Sequence, residues 1–196
     1  HCFRDALQDH KESLNSLNVY PVPDGDTGSN MAATLNSVVS EINSLEENAE
    51  LENIMEAISH GSLMGARGNS GVIISQILRG FVSEIKSASR ETIDANLFSQ
   101  ALSAAAAAAY EAVGNPVEGT ILTVVRETAE AAEKAVSEKS SLLPVAEIAR
   151  EAAKRSLDST PELLPVLARA GVVDAGGSGF LLMMDSLLHV IDDRPM

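Results

Sequence analysis

Two aspartates, Asp24 and Asp26, stand two residues apart in segment 21–30, with one glycine between them and another shortly after. Neighbouring carboxylates repel each other, so hydrogen bonds or a cation must offset the cost of placing them together. Glycine adopts backbone angles that other residues avoid, which allows both carboxylates to turn toward one point. A helical pattern follows directly, and the first N–H groups of a helix attract anions. The segment therefore predicts a site for magnesium together with a phosphate.

The spacing of the acidic residues superficially resembles the start of a calcium-binding EF-hand loop. That loop needs glycine at its sixth position and glutamate at its twelfth, whereas this chain has Ser29 and Leu35 there. An ordinary Asp-Gly turn stays open as an alternative. Magnesium fits the pair better, because it usually takes one or two carboxylates and completes its shell with water and substrate phosphate.

Four segments share one design of glycine, a small hydroxyl residue and a following helix start: residues 24–30, 65–71, 118–123 and 174–179. Each can present backbone N–H groups to an oxyanion. One such loop is common between packed helices, but four in one chain, one of them with paired carboxylates, favour a nucleotide site. None contains the G-x-x-x-x-G-K-[ST] pattern of a P-loop. No helix follows a convincing strand, which argues against a dinucleotide-binding fold.

Helical periodicity and helix-breaking residues predict one all-α domain of eight or nine helices that positions these loops. The predicted helices cover about residues 3–17, 30–44, 51–63, 72–81, 96–113, 120–137, 145–157, 160–170 and 180–191. We expect Ser29 or Asn30 to cap the second helix and Thr160-Pro161 to start the eighth. The alanine run at 104–109 should let neighbouring helices approach closely. Strand patterns are few and short, and Val172-Val173 is the best of them.

Composition narrows the functional classes. Of the 196 residues 45% are hydrophobic but only 3% aromatic, which favours close-packed helices over a β-sandwich. A formal net charge of −14 repels nucleic-acid backbones, so we expect no nucleic-acid partner. The single cysteine fits a reducing, cytoplasmic location, and no apolar run reaches the length of a transmembrane helix. Because the first residue is His1, we also expect a domain excised from a longer protein, whose C-terminal domains are missing here.

Three motifs carry a resemblance to a known family: NVYPVPDGDTGSNM at 18–31, GARGNSG at 65–71 and VDAGGSG at 173–179. Together they resemble the N-terminal domain of the nucleotide-binding component of bacterial fatty acid kinase, which is similar to the nucleotide-binding L subunit of dihydroxyacetone kinase. The resemblance covers essentially the whole chain, and the first two motifs together are highly specific. It implies a barrel of antiparallel amphipathic helices that holds ATP or ADP at one end through one or two magnesium ions.

The resemblance also implies roles for individual residues. Magnesium ligands are Asp24 and Asp26, with Asn18 where the dihydroxyacetone kinase relatives have a third aspartate. The catalytic residues are the two aspartates and Arg67, whose guanidinium can neutralise a transferring phosphate. The nucleotide-binding residues are Thr27, Gly28, Ser29, Asn30, Met31, Gly68, Asn69, Ser70, Gly71, Thr120, Leu122, Asp174 and Gly176. Among them, Met31 and Leu122 are expected to line an adenine pocket.

The implied reaction is phosphoryl transfer from ATP to the carboxylate of a fatty acid that a separate fatty-acid-binding subunit presents. A fatty acid is already ionised near neutral pH and needs no general base. None is obvious near the motifs, where His60 is the nearest candidate and better explained as an ordinary helix residue. Two alternatives stay open: a non-catalytic helical regulatory module, or the L-type subunit of dihydroxyacetone kinase. The sequence leaves open fatty acid specificity, activity of this chain alone, the number of metal ions and a homodimer of the full-length protein.

Overall fold

A computed structural model describes residues 1–90, 92–136 and 141–195, and within these ranges the chain forms ten α-helices without any strand. The predicted all-α class is therefore confirmed. The helices are α1 (Cys2–Asp9), α2 (Lys11–Leu17), α3 (Thr27–Asn43), α4 (Leu51–Gly65), α5 (Gly68–Ala88), α6 (Ala95–Glu111), α7 (Ile121–Val136), α8 (Leu142–Leu163), α9 (Pro165–Ala170) and α10 (Ala175–Asp192). No helix of this described part has both the length and the apolar character that crossing a membrane requires.

Helices α3, α5 and α10 begin earlier than predicted. Helix α3 begins at Thr27 with Asp26 as its N-cap, so the expected caps Ser29 and Asn30 are wrong and lie inside the first turn. Helix α10 begins at Ala175 rather than near residue 180, because the Asp174 side chain accepts a hydrogen bond from the first turn. Glycines that looked like a connecting loop are therefore helical.

Other helix boundaries also differ from the predictions, since α5 continues to Ala88 and α8 begins at Leu142. The first predicted helix is divided at His10 into α1 and α2. The start predicted at Thr160-Pro161 is wrong, because α8 continues through both residues. Pro161 cannot donate to the carbonyl four residues earlier. The Thr160 hydroxyl donates to that Leu157 carbonyl instead, at 2.7 Å, and the helix persists. The end predicted for α7 near residue 137 lies outside the described residues.

Consecutive helices from α3 to α8 pack against one another, and α10 closes the assembly between α7 and α8 on one side and α1 to α3 on the other. Consecutive helices with short connections run antiparallel, so every second helix begins at the same end. The starts of α3, α5 and α7 consequently lie together. Helix α8 returns the chain to that end, where α10 begins.

The core consists of aliphatic and alanine side chains with few aromatic rings. Its largest fully buried side chains are Phe180, Leu7, Met31, Ile74, Ile77, Leu97, Leu102, Leu167, Met184, Val124, Val125 and Val145. The expected role of the alanine run is confirmed, since Ala105 and Ala109 are completely buried. Gly80 of α5 lies so close to α6 that an added Cβ would sit 2.6 Å from the Ala104 carbonyl oxygen. This close packing fixes the helix ends that carry the loops.

Candidate functional site

All four glycine loops meet at one hollow of about 570 Å³ where α3, α5, α7 and α10 begin. A volume of this size is typical of small-molecule sites. The predicted site residues that line it are Asn18, Asp24, Asp26, Thr27, Asn30, Gly68, Asn69, Ser70, Thr120, Leu122, Asp174 and Gly176. The antiparallel arrangement thus brings together residues that are up to 158 positions apart in the chain, from Asn18 to Gly176.

The acidic turn before α3 presents the two aspartates among the three predicted metal ligands to the hollow, and the third, Asn18, also lines it. Gly25 between them has φ of +67°, a conformation that glycine adopts without strain. Asp26 occupies the N-cap position, yet its side chain makes no bond to its own helix. Asn18, only 7% exposed, donates from Nδ2 to Asp24 Oδ1 at 2.6 Å. An amide oxygen at that distance from a carboxylate oxygen would be repelled, which fixes the orientation of the amide.

This donor set suits magnesium better than a closed structural metal site. The described residues contain no group of three or more His, Cys, Asp or Glu side chains arranged to hold a metal ion. Asp24 and Asp26 offer hard carboxylate oxygens at the wall of an open hollow. Magnesium typically takes one or two carboxylates and keeps room for water and phosphate oxygens. The two aspartates could therefore hold such an ion.

The start of α5 offers unpaired backbone donors beside this turn. Gly68 has φ of +59°, and a Cβ on it would sit 2.2 Å from the Asn30 side-chain nitrogen. No side chain caps α5, so the first N–H groups of this helix are left for water or a ligand. The Ser70 hydroxyl donates to the Thr27 carbonyl at 3.4 Å, which connects the starts of α5 and α3. Two helix starts therefore face the hollow with a favourable potential for anions.

The starts of α7 and α10 differ, because one buried carboxylate occupies their donors. Asp174 is 6% exposed, and its Oδ2 accepts from the Gly177 N–H at 2.7 Å. Backbone N–H groups of Ile121 and Gly176 also bond to it. Burial raises the pKa of Asp174 from 3.8 to about 6, even though these N–H bonds act in the opposite direction. Asp174 therefore joins the starts of α7 and α10 to each other.

Three predicted nucleotide contacts near α3 do not line the hollow. Gly28 faces α2, since a Cβ there would sit 2.3 Å from the Lys11 carbonyl oxygen. Ser29 is engaged by Asn15, which donates to its hydroxyl and accepts from its N–H, each at 3.0 Å. Met31 is completely buried in the core rather than beside a base. The placement of α3 against its neighbours accounts for all three, because these positions face other helices and not the hollow.

Two further predicted residues near α5 also lie off the hollow. A Cβ on Gly71 would sit 2.5 Å from Thr34 Oγ1, so this glycine serves the packing of α5 on α3. Arg67 is exposed, and its guanidinium donates to the Ala66 carbonyl at 3.0 Å. His60, considered as a base, pairs with Glu41 at 2.9 Å and is not among the lining residues.

Sequence reasoning missed one wall of the hollow. Residues 112–117, between α6 and α7, contribute Ala112, Val113, Gly114, Asn115 and Val117 to the lining. Their Gly-Asn-Pro stretch indicates only a helix break. Its position in the chain could have identified it, because the stretch leads directly into the predicted loop 118–123. Apolar side chains of α5, Val72 and Ile73, complete this part of the site.

Residues 21–189 match the family described as the DAK2 domain. Because this match covers nearly the whole chain, the chain belongs to the DAK2 domain family. Similar curated proteins include an uncharacterized protein of Staphylococcus saprophyticus subsp. saprophyticus and one of Staphylococcus aureus strain USA300. Each is 44% identical over 186 residues, which is 94% of this chain and 33% of the relative. The chain thus spans about a third of the length of these relatives.

Solved structures agree with the fold. The crystal structure of the dihydroxyacetone kinase from C. freundii in complex with AMP-PNP and Mg2+ has a TM-score of 0.68 and 19% identity, covering 96% of this chain and 32% of that one. The native form of the same kinase has a TM-score of 0.66 and 19% identity, covering 96% of this chain and 33% of that chain. The helical architecture is therefore that of a domain found in dihydroxyacetone kinase.

Proposed function

We propose that the hollow binds ATP or ADP together with magnesium, and that the domain is the nucleotide-binding part of a kinase. One observation carries this proposal: the same hollow is lined by two aspartates and by two helix starts whose N-cap side chains make no bond to their helix. Carboxylates recruit the cation, and helix starts recruit the phosphates. Membership of the DAK2 domain family and the AMP-PNP and Mg2+ held by the C. freundii relative support the assignment.

The four helix starts differ in whether their N–H groups are already bonded, and this difference predicts the orientation of the nucleotide in the hollow. Phosphates belong over the starts of α3 and α5, where the N-cap side chains make no bond to the helix and Asp24 and Asp26 would hold magnesium, although Asn15 accepts from the Ser29 N–H of α3. The Asp174 end has its donors engaged and carries a carboxylate, so it disfavours phosphate. Apolar side chains such as Leu122 and Val113 suit the base. The nucleoside therefore points toward α7 and α10.

The acceptor we propose is the carboxylate of a fatty acid presented by a separate fatty-acid-binding protein. One carboxylate oxygen attacks the γ-phosphorus, the bond from that phosphorus to the ADP oxygen breaks, and an acyl phosphate and ADP result. Among the described lining residues there is no histidine, lysine or arginine. An acceptor that is already ionised suits such a site, because it requires no proton removal. We propose that further domains, for which the longer relatives have room, would complete it.

A second candidate is a phosphotransferase component that uses a small ketone such as dihydroxyacetone. The similarity in fold to the C. freundii kinase favours it. To separate the two, the full-length protein is incubated with ATP and either oleate with its carrier protein or dihydroxyacetone. Hydroxylamine trapping should report acyl phosphate only with oleate. ATP consumption that depends on dihydroxyacetone alone would establish the second candidate.

Isothermal titration with MgADP tests nucleotide binding itself. We expect binding by the unmodified chain and a loss of about tenfold or more in affinity for Asp26→Asn, because the variant removes one charge from the cation site. Asp158→Asn is the matched control, since Asp158 is exposed on α8 and pairs with Lys154. Equal affinities of the Asp26 variant and the unmodified chain would contradict the metal assignment. No heat from the unmodified chain would favour a regulatory helical module.

A further inference from the structure

A network of side chains holds the wall that sequence reasoning missed. Glu118 lies in the connection between α6 and α7 and accepts three hydrogen bonds. Tyr110 of α6 donates to its Oε1 at 3.0 Å, while Thr123 and Arg126 of α7 donate to Oε2 at 2.7 and 3.0 Å. One carboxylate thus connects both helices that flank the wall. We call these four residues the Glu118 network.

Other contacts make the wall dependent on this network. The Gly119 N–H donates to the Thr123 hydroxyl at 2.8 Å, and that hydroxyl in turn donates to Glu118. Gly119 has φ of +83°, and a Cβ there would sit 2.8 Å from that of Leu164. The Thr120 hydroxyl donates to the Val117 carbonyl at 2.7 Å. Backbone turns on both sides of Glu118 are therefore set, and they orient the wall toward the hollow.

The charges in the network are mutually supporting. The hydrogen bond from Thr123 is the main cause that lowers the pKa of Glu118, and Arg126 adds to it. Arg126 also contacts the Tyr110 oxygen at 3.3 Å and Glu130 at 2.9 Å. Its guanidinium therefore bridges α7 to the end of α6. Such linked bonds order a segment more strongly than separate pairs do.

We propose that Glu118 is a positioning residue for the nucleoside part of the nucleotide: through Tyr110, Thr123 and Arg126 it holds the 112–117 wall against the base and ribose. This inference rests on the proposed nucleotide function. The wall lies between α6 and α7, whereas the phosphate donors lie on α3 and α5. A less ordered wall should therefore weaken the contacts to the nucleoside but should not change the contacts to the phosphates.

The test compares MgADP with magnesium tripolyphosphate, which has phosphates but no nucleoside, by competition against a fluorescent ADP analogue. For Glu118→Ala we expect about a tenfold loss of MgADP affinity and less than about a twofold change for tripolyphosphate. Tyr110→Phe, which removes one donor, should show the same pattern with about a threefold loss. Asp185→Ala is the matched control, because it breaks the Arg150 pair at 2.7 Å between α8 and α10.

Hydrogen exchange supplies a second measurement that does not require binding. Amides of residues 112–118 should exchange faster in Glu118→Ala, while those at the start of α5 should keep their wild-type rates. Equal losses for MgADP and tripolyphosphate, unchanged MgADP affinity, or unchanged exchange of the wall would each overturn the positioning role. Failure of the unmodified chain to bind MgADP would instead refute the proposed function.

Discussion

Replacing Asp174 by asparagine should remove a pH dependence that the buried carboxylate imposes on stability. The pKa of Asp174 is raised from 3.8 to about 6, chiefly by burial. A carboxyl with a raised folded-state pKa binds more protons in the folded than in the unfolded chain. Its contribution to the free energy of unfolding is therefore greatest below the unfolded pKa and is lost as pH rises through about 6. Asparagine at this position does not titrate.

The two pKa values set the size of the effect. The interval from 3.8 to about 6 corresponds to about 3 kcal/mol over the full titration. Between about pH 5 and pH 7.5, about 1 kcal/mol of this is expected. The free energy of unfolding of Asp174→Asn minus that of the unmodified chain should rise by this amount. Any constant offset from the different N–H bonding of the amide cancels in the comparison.

Urea unfolding of both proteins at a series of pH values, without nucleotide, measures this difference. Thr160→Val is the matched control. It removes the hydroxyl that accepts from the Asp174 N–H at 3.1 Å but keeps the carboxyl. Its stability should run parallel to that of the unmodified chain. Parallel curves for Asp174→Asn, or a relative loss of stability by this variant as pH rises, would refute the conclusion that burial of the charge dominates at this site.

The remaining predictions concern glycines that meet different constraints. Gly28→Ala should lower the free energy of unfolding by about 2 kcal/mol or more, because its Cβ would meet the Lys11 carbonyl oxygen at 2.3 Å and backbone cannot easily yield. Gly171→Ala has open space around the Cβ but a φ of +69°, so it should cost only about 1 kcal/mol through backbone strain. Chemical denaturation of both variants checks the order, and an equal or reversed ranking would contradict the assigned contacts.

The fold class could be predicted because it depends on properties that act along the chain. Alanine-rich helical periodicity and the scarcity of strand patterns predict eight or nine helices, and the described residues form ten. The wrongly predicted helix boundaries lie where a side chain compensates for a residue that normally ends or starts a helix. Pro161 normally marks a helix start, but the Thr160 hydroxyl satisfies the carbonyl that it leaves unpaired, and α8 continues. Such compensation depends on rotamers, which a sequence pattern does not contain.

The sequence predicts which loops form the candidate site, but it does not predict which residues of each helix face the hollow. Glycine motifs identify where helices begin, and antiparallel packing brings those starts together without further information. Which side chain of a helix faces the hollow depends on how that helix is rotated against its neighbours. This rotation places Gly28 and Ser29 against α2, whereas Met31 shares the face of Thr27 but lies one turn deeper, in the core rather than at the hollow. The 112–117 wall was missed because its lining residues carry no chemical motif.

Two aspartates at equivalent positions make the two ends of the hollow different from each other. Asp26 and Asp174 are both N-caps of helices that begin at the hollow, and in the sequence both precede small residues. Asp174 is buried and accepts from two N–H groups of α10, Gly176 and Gly177, and from one of α7, Ile121. Asp26 is partly exposed and makes no side-chain bond to its own helix, so its carboxylate stays available, while Asn15 accepts from the Ser29 N–H in the first turn. Similar loops thus form two different halves of the hollow, because a buried aspartate bonds its own helix whereas a partly exposed one stays available to a ligand.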